Sequence, residues 1–99
     1  MRKKFPTVLG CVDRRFLSAY VLYFLSAQPS YASKLREQLK KTFNLEVKYS
    51  AVYYCLWALE RDGHAQSSKA RKDGQVIKEF SITEAGTVHL EEMIEFLKR

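Results

Sequence analysis

Apolar side chains recur at Phe16, Leu17, Tyr20, Val21, Phe24 and Leu25, the spacing of one face of an α-helix. With Asp13 as its N-cap, this pattern predicts a first helix running to about Ala27. Ala19, Leu22 and Tyr23 make its other side apolar as well, so a second copy of the chain is expected to cover it. After the Gln28-Pro29 break, Ser30 is placed to cap a second helix with Tyr31, Leu35, Leu39 and Phe43 inward and Lys34, Arg36, Lys40 and Lys41 outward. A short connection, Asn44 to Lys48, leads to a third helix that starts near Tyr49 or Ser50 and ends at Asp62-Gly63, where glycine supplies a left-handed cap. Its inner stripe is Val52, Cys55, Leu56 and Leu59. The opposite face is Ser50, Tyr54, Trp57 and Arg61, with Tyr53 at the flank.

The period then changes. Ala65 to Ala70 and Gln75 to Ile82 flank Arg71-Lys72-Asp73-Gly74, and Asp-Gly is a strong hairpin signal. Val76, Phe80 and Ile82 share a strand face that Lys78 interrupts. Thr83 is the expected cap of a last helix, Glu84 to about Lys98, with Ala85, Val88, Leu90, Met93, Ile94 and Leu97 apolar. Apolar residues on the first and last helices predict a homodimer through Leu22, Tyr23, Leu90, Met93, Ile94 and Leu97.

Three helices, a basic-tipped hairpin and one more helix predict an α+β, mainly helical fold. This is the element order of a winged helix-turn-helix with a two-stranded wing and a C-terminal dimerisation helix. The whole chain, 1–99, is expected to be one domain, with a basic N-terminal segment over 1–12 and the dimerisation helix over 83–99.

Charge narrows the partner. The chain of 99 residues carries 17 Lys and Arg against 11 Asp and Glu, a net +6, which favours a polyanion, nucleic acid first and an anionic membrane surface second. Nine of those cations fall in residues 1–41 beside two acids, whereas residues 83–99 carry two cations and four acids, so the C-terminal end is expected to face away from the polyanion. At 46% hydrophobic and 28% charged, the chain has the apolar content of a folded domain.

Cys11 and Cys55 have no metal-ligand spacing, and His64 and His89 stand alone, so neither a metal nor another cofactor is expected. Cys55 reads as a buried small hydrophobe. If dimer symmetry brought two N-terminal segments together, Cys11 would meet its own mate. An interchain disulfide is then possible, against a free thiol as the ordinary cytosolic expectation. The apolar run Phe16 to Ala27 is about half the length of a membrane span. A cytoplasmic protein, or one in the host cytoplasm if the chain is viral, is expected, without membrane contact. There is no phosphate loop, nucleophile elbow or carboxylate pair, and Glu91, Glu92 and Glu95 read as a wet helix face, so no enzyme is expected.

The run Val52-Tyr53-Tyr54-Cys55-Leu56-Trp57-Ala58-Leu59-Glu60-Arg61-Asp62-Gly63, followed by the basic hairpin and Phe80-Ser81-Ile82-Thr83-Glu84-Ala85-Gly86, resembles the PadR-type winged-helix transcription regulators. In that family a Tyr, two Leu, Glu and Gly mark the recognition helix, and a Leu-Thr-Glu-Ala-Gly-like run opens the dimerising helix. The likeness extends from about Tyr20 onward. Two positions depart from it: the family's Gly-Tyr in the second helix is Ala32-Ser33 here, and a commonly basic position on the third helix is Trp57. The single helix after the wing is also similar to small archaeal or viral winged-helix proteins.

The resemblance implies a homodimeric regulator of double-stranded DNA, with the third helix in the major groove and the wing on backbone or minor groove. The residues expected at DNA are Lys34, Arg36, Lys40, Lys41, Lys48, Tyr49, Ser50, Ala51, Tyr53, Tyr54, Trp57, Arg61, Lys69, Arg71 and Lys72. The alternative is a winged-helix module that binds an acidic protein. RNA is a weaker reading, since no strand face is studded with aromatics.

Overall fold

The computed structural model describes residues 14–97 and arranges them as α1 (Arg14–Ala27), α2 (Ala32–Phe43), α3 (Tyr49–Arg61), β1 (Ala65–Lys72), β2 (Gln75–Ile82) and α4 (Glu84–Leu97). Asp13, Cys11 and the basic segment 1–12 lie outside the described residues. The order is that of a winged helix-turn-helix, with β1 and β2 as the antiparallel wing.

Helix α1 is the pillar of the core and packs against α2, α3, α4 and β2. Its predicted stripe, Leu17, Tyr20, Val21 and Leu25, is buried, and so is Leu22 on the other side at 0% exposure. This corrects the expectation that a second copy covers Ala19 and Leu22: the chain's own elements bury both, and of that side only Tyr23 stays exposed. Leu90 of α4, at 6%, is a core residue for the same reason. Burial pushes the Tyr20 phenol up to about 12, while its ring stacks on Phe43 with centroids 4.6 Å apart.

Ser30 does not cap α2. That helix begins at Ala32 after an extended Tyr31 without a side-chain cap. Ser30, 2% exposed, instead bridges to Phe80: its N–H donates to the Phe80 carbonyl at 3.0 Å, and the Phe80 N–H returns a bond of 2.7 Å. The backbone preceding α2 thereby serves as a one-residue third strand along β2. Asn44, in the left-handed region at φ 54°, ends α2.

Helix α3 buries its predicted stripe, Val52, Cys55, Leu56 and Leu59. It closes on Gly63, at φ +82°, with Gly63 N–H donating to the Glu60 carbonyl at 3.0 Å and His64 N–H to the Leu59 carbonyl at 2.8 Å. These are the paired bonds of a Schellman cap, which only a residue tolerant of positive φ completes cheaply.

The wing is longer and its turn tighter than the sequence suggests. Strand β1 continues through Lys72, and only Asp73-Gly74, at φ 53° and 79°, makes the turn. Both central residues at positive φ define a two-residue hairpin turn matched to the twist of the strands. Arg71 pairs with Val76 and Lys72 with Gln75, so these two cations project from opposite faces rather than from one basic tip.

Thr83 caps α4 as expected, its Oγ1 accepting the Gly86 N–H at 3.0 Å. The same hydroxyl donates to the Gly63 carbonyl at 2.7 Å, and Thr83 N–H donates to the His64 carbonyl at 3.1 Å. The start of α4 is therefore fastened to the end of α3. Gly86 permits this approach, because a methyl group there would overlap the His64 carbonyl oxygen. The same approach stacks His64 on His89, with ring centroids 4.1 Å apart.

Candidate nucleic-acid interface

The inner stripe of α3 fixes its rotation, and the opposite face is largely open to solvent. Tyr49, Tyr53, Tyr54 and Trp57 are 50, 39, 43 and 45% exposed, an unusual density of large rings on one solvent-facing helix. They form two pairs. Tyr54 and Trp57 lie on the crest with centroids 5.7 Å apart, and Tyr49 stacks on Tyr53 at 6.2 Å on the flank toward the wing. Ser50 is exposed on the same crest, whereas Ala51 turns partly into the core and is set apart from the other residues expected at DNA.

Arg61 continues the crest, but its guanidinium is engaged. Nε donates to Asp62 Oδ1 at 3.1 Å and the head lies over the Trp57 ring, 5.2 Å from its centroid. The hydrogen bond from Arg61 holds the Asp62 carboxyl below the usual carboxylate range.

Not all the cations of α2 stand ready for phosphate. Arg36 Nε donates to the Val47 carbonyl at 2.9 Å, and Lys40 Nζ bonds Glu46 Oε2 at 2.8 Å. The hydrogen bond and charge of Lys40 hold Glu46 below the ordinary range. Both contacts brace the connection between α2 and α3, and both are exposed, where a competing phosphate meets little resistance. Lys34 and Lys41 make no ion pair among the described residues, and Lys48, just before α3, is exposed.

On the wing, Lys69 and Arg71 are exposed without an ion pair among the described residues, and Lys72 Nζ stands 5.8 Å above the Tyr31 ring. A residue missed at the sequence level joins the two parts of the surface. Lys78, whose place in the sequence only interrupts an apolar strand face, reaches Glu60 of α3 at 3.7 Å and lies 6.0 Å above the Tyr53 ring. Glu60 in turn accepts the Ser67 hydroxyl at 2.7 Å. Between wing and α3 is a cleft of about 380 Å³ lined by Tyr31, Tyr49, Tyr53, Val76, Lys78 and Phe80.

Elsewhere, Tyr23 of α1 and Val88, Ile94 and Phe96 of α4 expose 52, 50, 39 and 65% of their surface, with Met93 half-buried. Phe96 falls outside the apolar pattern that predicts α4, and the Leu97 side chain lies outside the described residues. The two histidines that stand alone in the sequence are brought together. Burial, then the neighbouring His64, lowers the His89 pKa against the opposing pull of Glu92 and Asp62. His64 Nδ1 is buried without a hydrogen-bond partner among the described residues. Those residues include no metal-binding cluster and no helix long and apolar enough to cross a membrane.

A model of the transcriptional regulator PadR-like family matches residues 21–92. Solved structures with similar folds include a transcriptional regulator from Clostridium thermocellum, with a TM-score of 0.80, 17% identity and coverage of 86% of this chain and 85% of that one. A PadR family transcription regulator from hypervirulent Clostridium difficile aligns with a TM-score of 0.77 at 16% identity over 84% of this chain and 88% of the other. A PadR family transcriptional regulator from Eggerthella lenta gives 0.74 at 24% identity over 83 and 72%. At such identities the structural likeness is one of fold. No curated protein matches this chain in sequence.

Proposed function

Because the chain belongs to the PadR-like family of transcriptional regulators, we propose that it works as a cytoplasmic homodimer that binds specific duplex DNA sites, with α3 in the major groove and the wing on the backbone or in the minor groove. Residues 1–99 act in this reading as one winged-helix unit whose last segment, 83–99, which contains α4, is the dimerisation element. The observation that carries it is the placement of charge. Lys34, Arg36, Lys40 and Lys41 stand on α2 and Lys69, Arg71 and Lys72 on the wing, the two elements that pack against α3 on either side of it in the chain, while Glu91, Glu92 and Glu95 are exposed on α4. Cations on either side of a protruding helix suit two phosphate rows bordering one groove. The exposed rings and aliphatics of α1 and α4, Tyr23, Val88, Ile94 and Phe96, supply the apolar surface for a symmetric pair.

Selection from a pool of random duplexes tests this. The expected product is a pair of related half-sites about one helical turn apart, bound by a species of twice the chain mass. Failure to bind any duplex more tightly than micromolar at low salt would defeat the reading and favour an acidic protein as the partner of the basic surface.

A further inference from the structure

We infer that α3 reads thymine through its 5-methyl group, using the paired rings of Tyr54 and Trp57 as an apolar platform. The inference rests on the duplex-binding reading above and deepens it by naming the chemical feature recognised. Side chains that distinguish bases by paired hydrogen bonds in the major groove are chiefly Arg or Lys for guanine and Asn or Gln for adenine. The sequence of α3, Tyr49 to Arg61, contains no Asn, Gln or Lys. Its one arginine, the last residue of the helix, bonds the Asp62 carboxylate at 3.1 and 3.5 Å and lies against Trp57, so α3 carries at most one side chain of this kind. Its one carboxylate, Glu60, is engaged by Ser67 and Lys78 on the wing.

What the crest offers is mostly ring surface: Tyr54 and Trp57, each more than two-fifths exposed and 5.7 Å apart, directly in line with Ser50. Placed against polar base edges alone, such rings would gain little from leaving water. The apolar group that an unmodified duplex projects into its major groove is the thymine methyl. A methyl-sized group buried against such rings is worth about fourfold in affinity.

The test uses an operator obtained by selection and the same duplex rebuilt with uracil in place of each thymine in turn. Uracil keeps the O4 acceptor and loses only the methyl. At one or two positions per half-site, uracil is expected to weaken binding by about fourfold, and the penalty should vanish in Tyr54→Ala or Trp57→Ala. It should persist in Tyr54→Phe, which keeps the ring and loses the hydroxyl, so that a damaged fold is not mistaken for removal of the platform.

Equal affinity for thymine and uracil operators would overturn the inference while leaving duplex binding intact. A uracil penalty that both alanine variants retain would also overturn it, since the methyl would then be sensed by another group. Absence of any selected duplex overturns this inference together with the reading on which it rests.

Discussion

Replacing Gly86 with alanine sets two opposed effects against each other, and the structure decides between them. Alanine in a helix interior is favoured over glycine by about 1 kcal/mol. The new methyl, however, would overlap the His64 carbonyl oxygen and stand 2.8 Å from Ile82 Cγ1 and 2.9 Å from the His64 carbonyl carbon. The carbonyl cannot turn aside freely, because it accepts the Thr83 N–H at 3.1 Å. Overpacking of this kind costs about 1–3 kcal/mol, and breaking that hydrogen bond adds about 1 kcal/mol. The net destabilisation is about 1–3 kcal/mol, a fall in Tm of roughly 5–15 °C for a domain of this size. Thermal unfolding followed by circular dichroism measures it. Gly63→Ala provides the contrast, since nothing lies within 4 Å of that position and only its φ of +82° is strained. There the destabilisation should be about 1–2 kcal/mol, set by the left-handed backbone alone. A Gly86→Ala protein that melts at or above the parent temperature would refute the close-approach argument.

Four further outcomes are expected. Joint replacement of Arg71 and Lys72 by alanine should weaken binding to every duplex alike and flatten the dependence of log K on log salt by about 0.9 for each phosphate left without its cation, as read by titration at several salt concentrations. Phe96→Asp should shift the protein from dimer to monomer in sedimentation without unfolding it, because the ring is 65% exposed in the single chain. Thr83→Val removes both the cap of α4 and the bond to Gly63, and should cost about 1–2 kcal/mol in urea unfolding. His89 has a folded pKa below its unfolded value of about 6.5, so its contribution is complete above pH 6.5 and is lost as pH falls from there toward the folded value. Stability should therefore drop as pH falls through this range, and His89→Gln should reduce that drop in urea unfolding followed at a series of pH values.

The features legible in the sequence are those set by neighbouring residues. The burial of Val52, Cys55, Leu56 and Leu59, the Asp73-Gly74 turn, the Gly63 terminator and the Thr83 cap all follow from periodicity or from the backbone needs of a few consecutive positions. The misreadings share a different cause. An apolar Leu22 or Leu90 announces that it will be covered but not by which surface, and here the same chain covers both. Ser30 has the composition of a cap, yet a long-range bridge to Phe80 claims its backbone. Arg36 and Lys40, expected at DNA, also meet a carbonyl and a carboxylate of the following loop, contacts that their own positions do not announce. The stacking of His64 on His89 depends on the approach allowed at Gly86, which no local pattern reveals.

The fastening of Thr83 to Gly63 and His64, with Gly86 seated against the same turn, ties the start of the fourth helix directly to the end of the third. In a symmetric pair built on α4, each α3 would then sit at the end of a stiff arm, and the span between the two would be set by this joint like the opening of a calliper. A stiff calliper tolerates spacing errors badly. One base pair inserted between half-sites rotates them by roughly 34° and separates them by about 3.4 Å, a mismatch that the DNA, rather than the protein, would have to absorb by twisting.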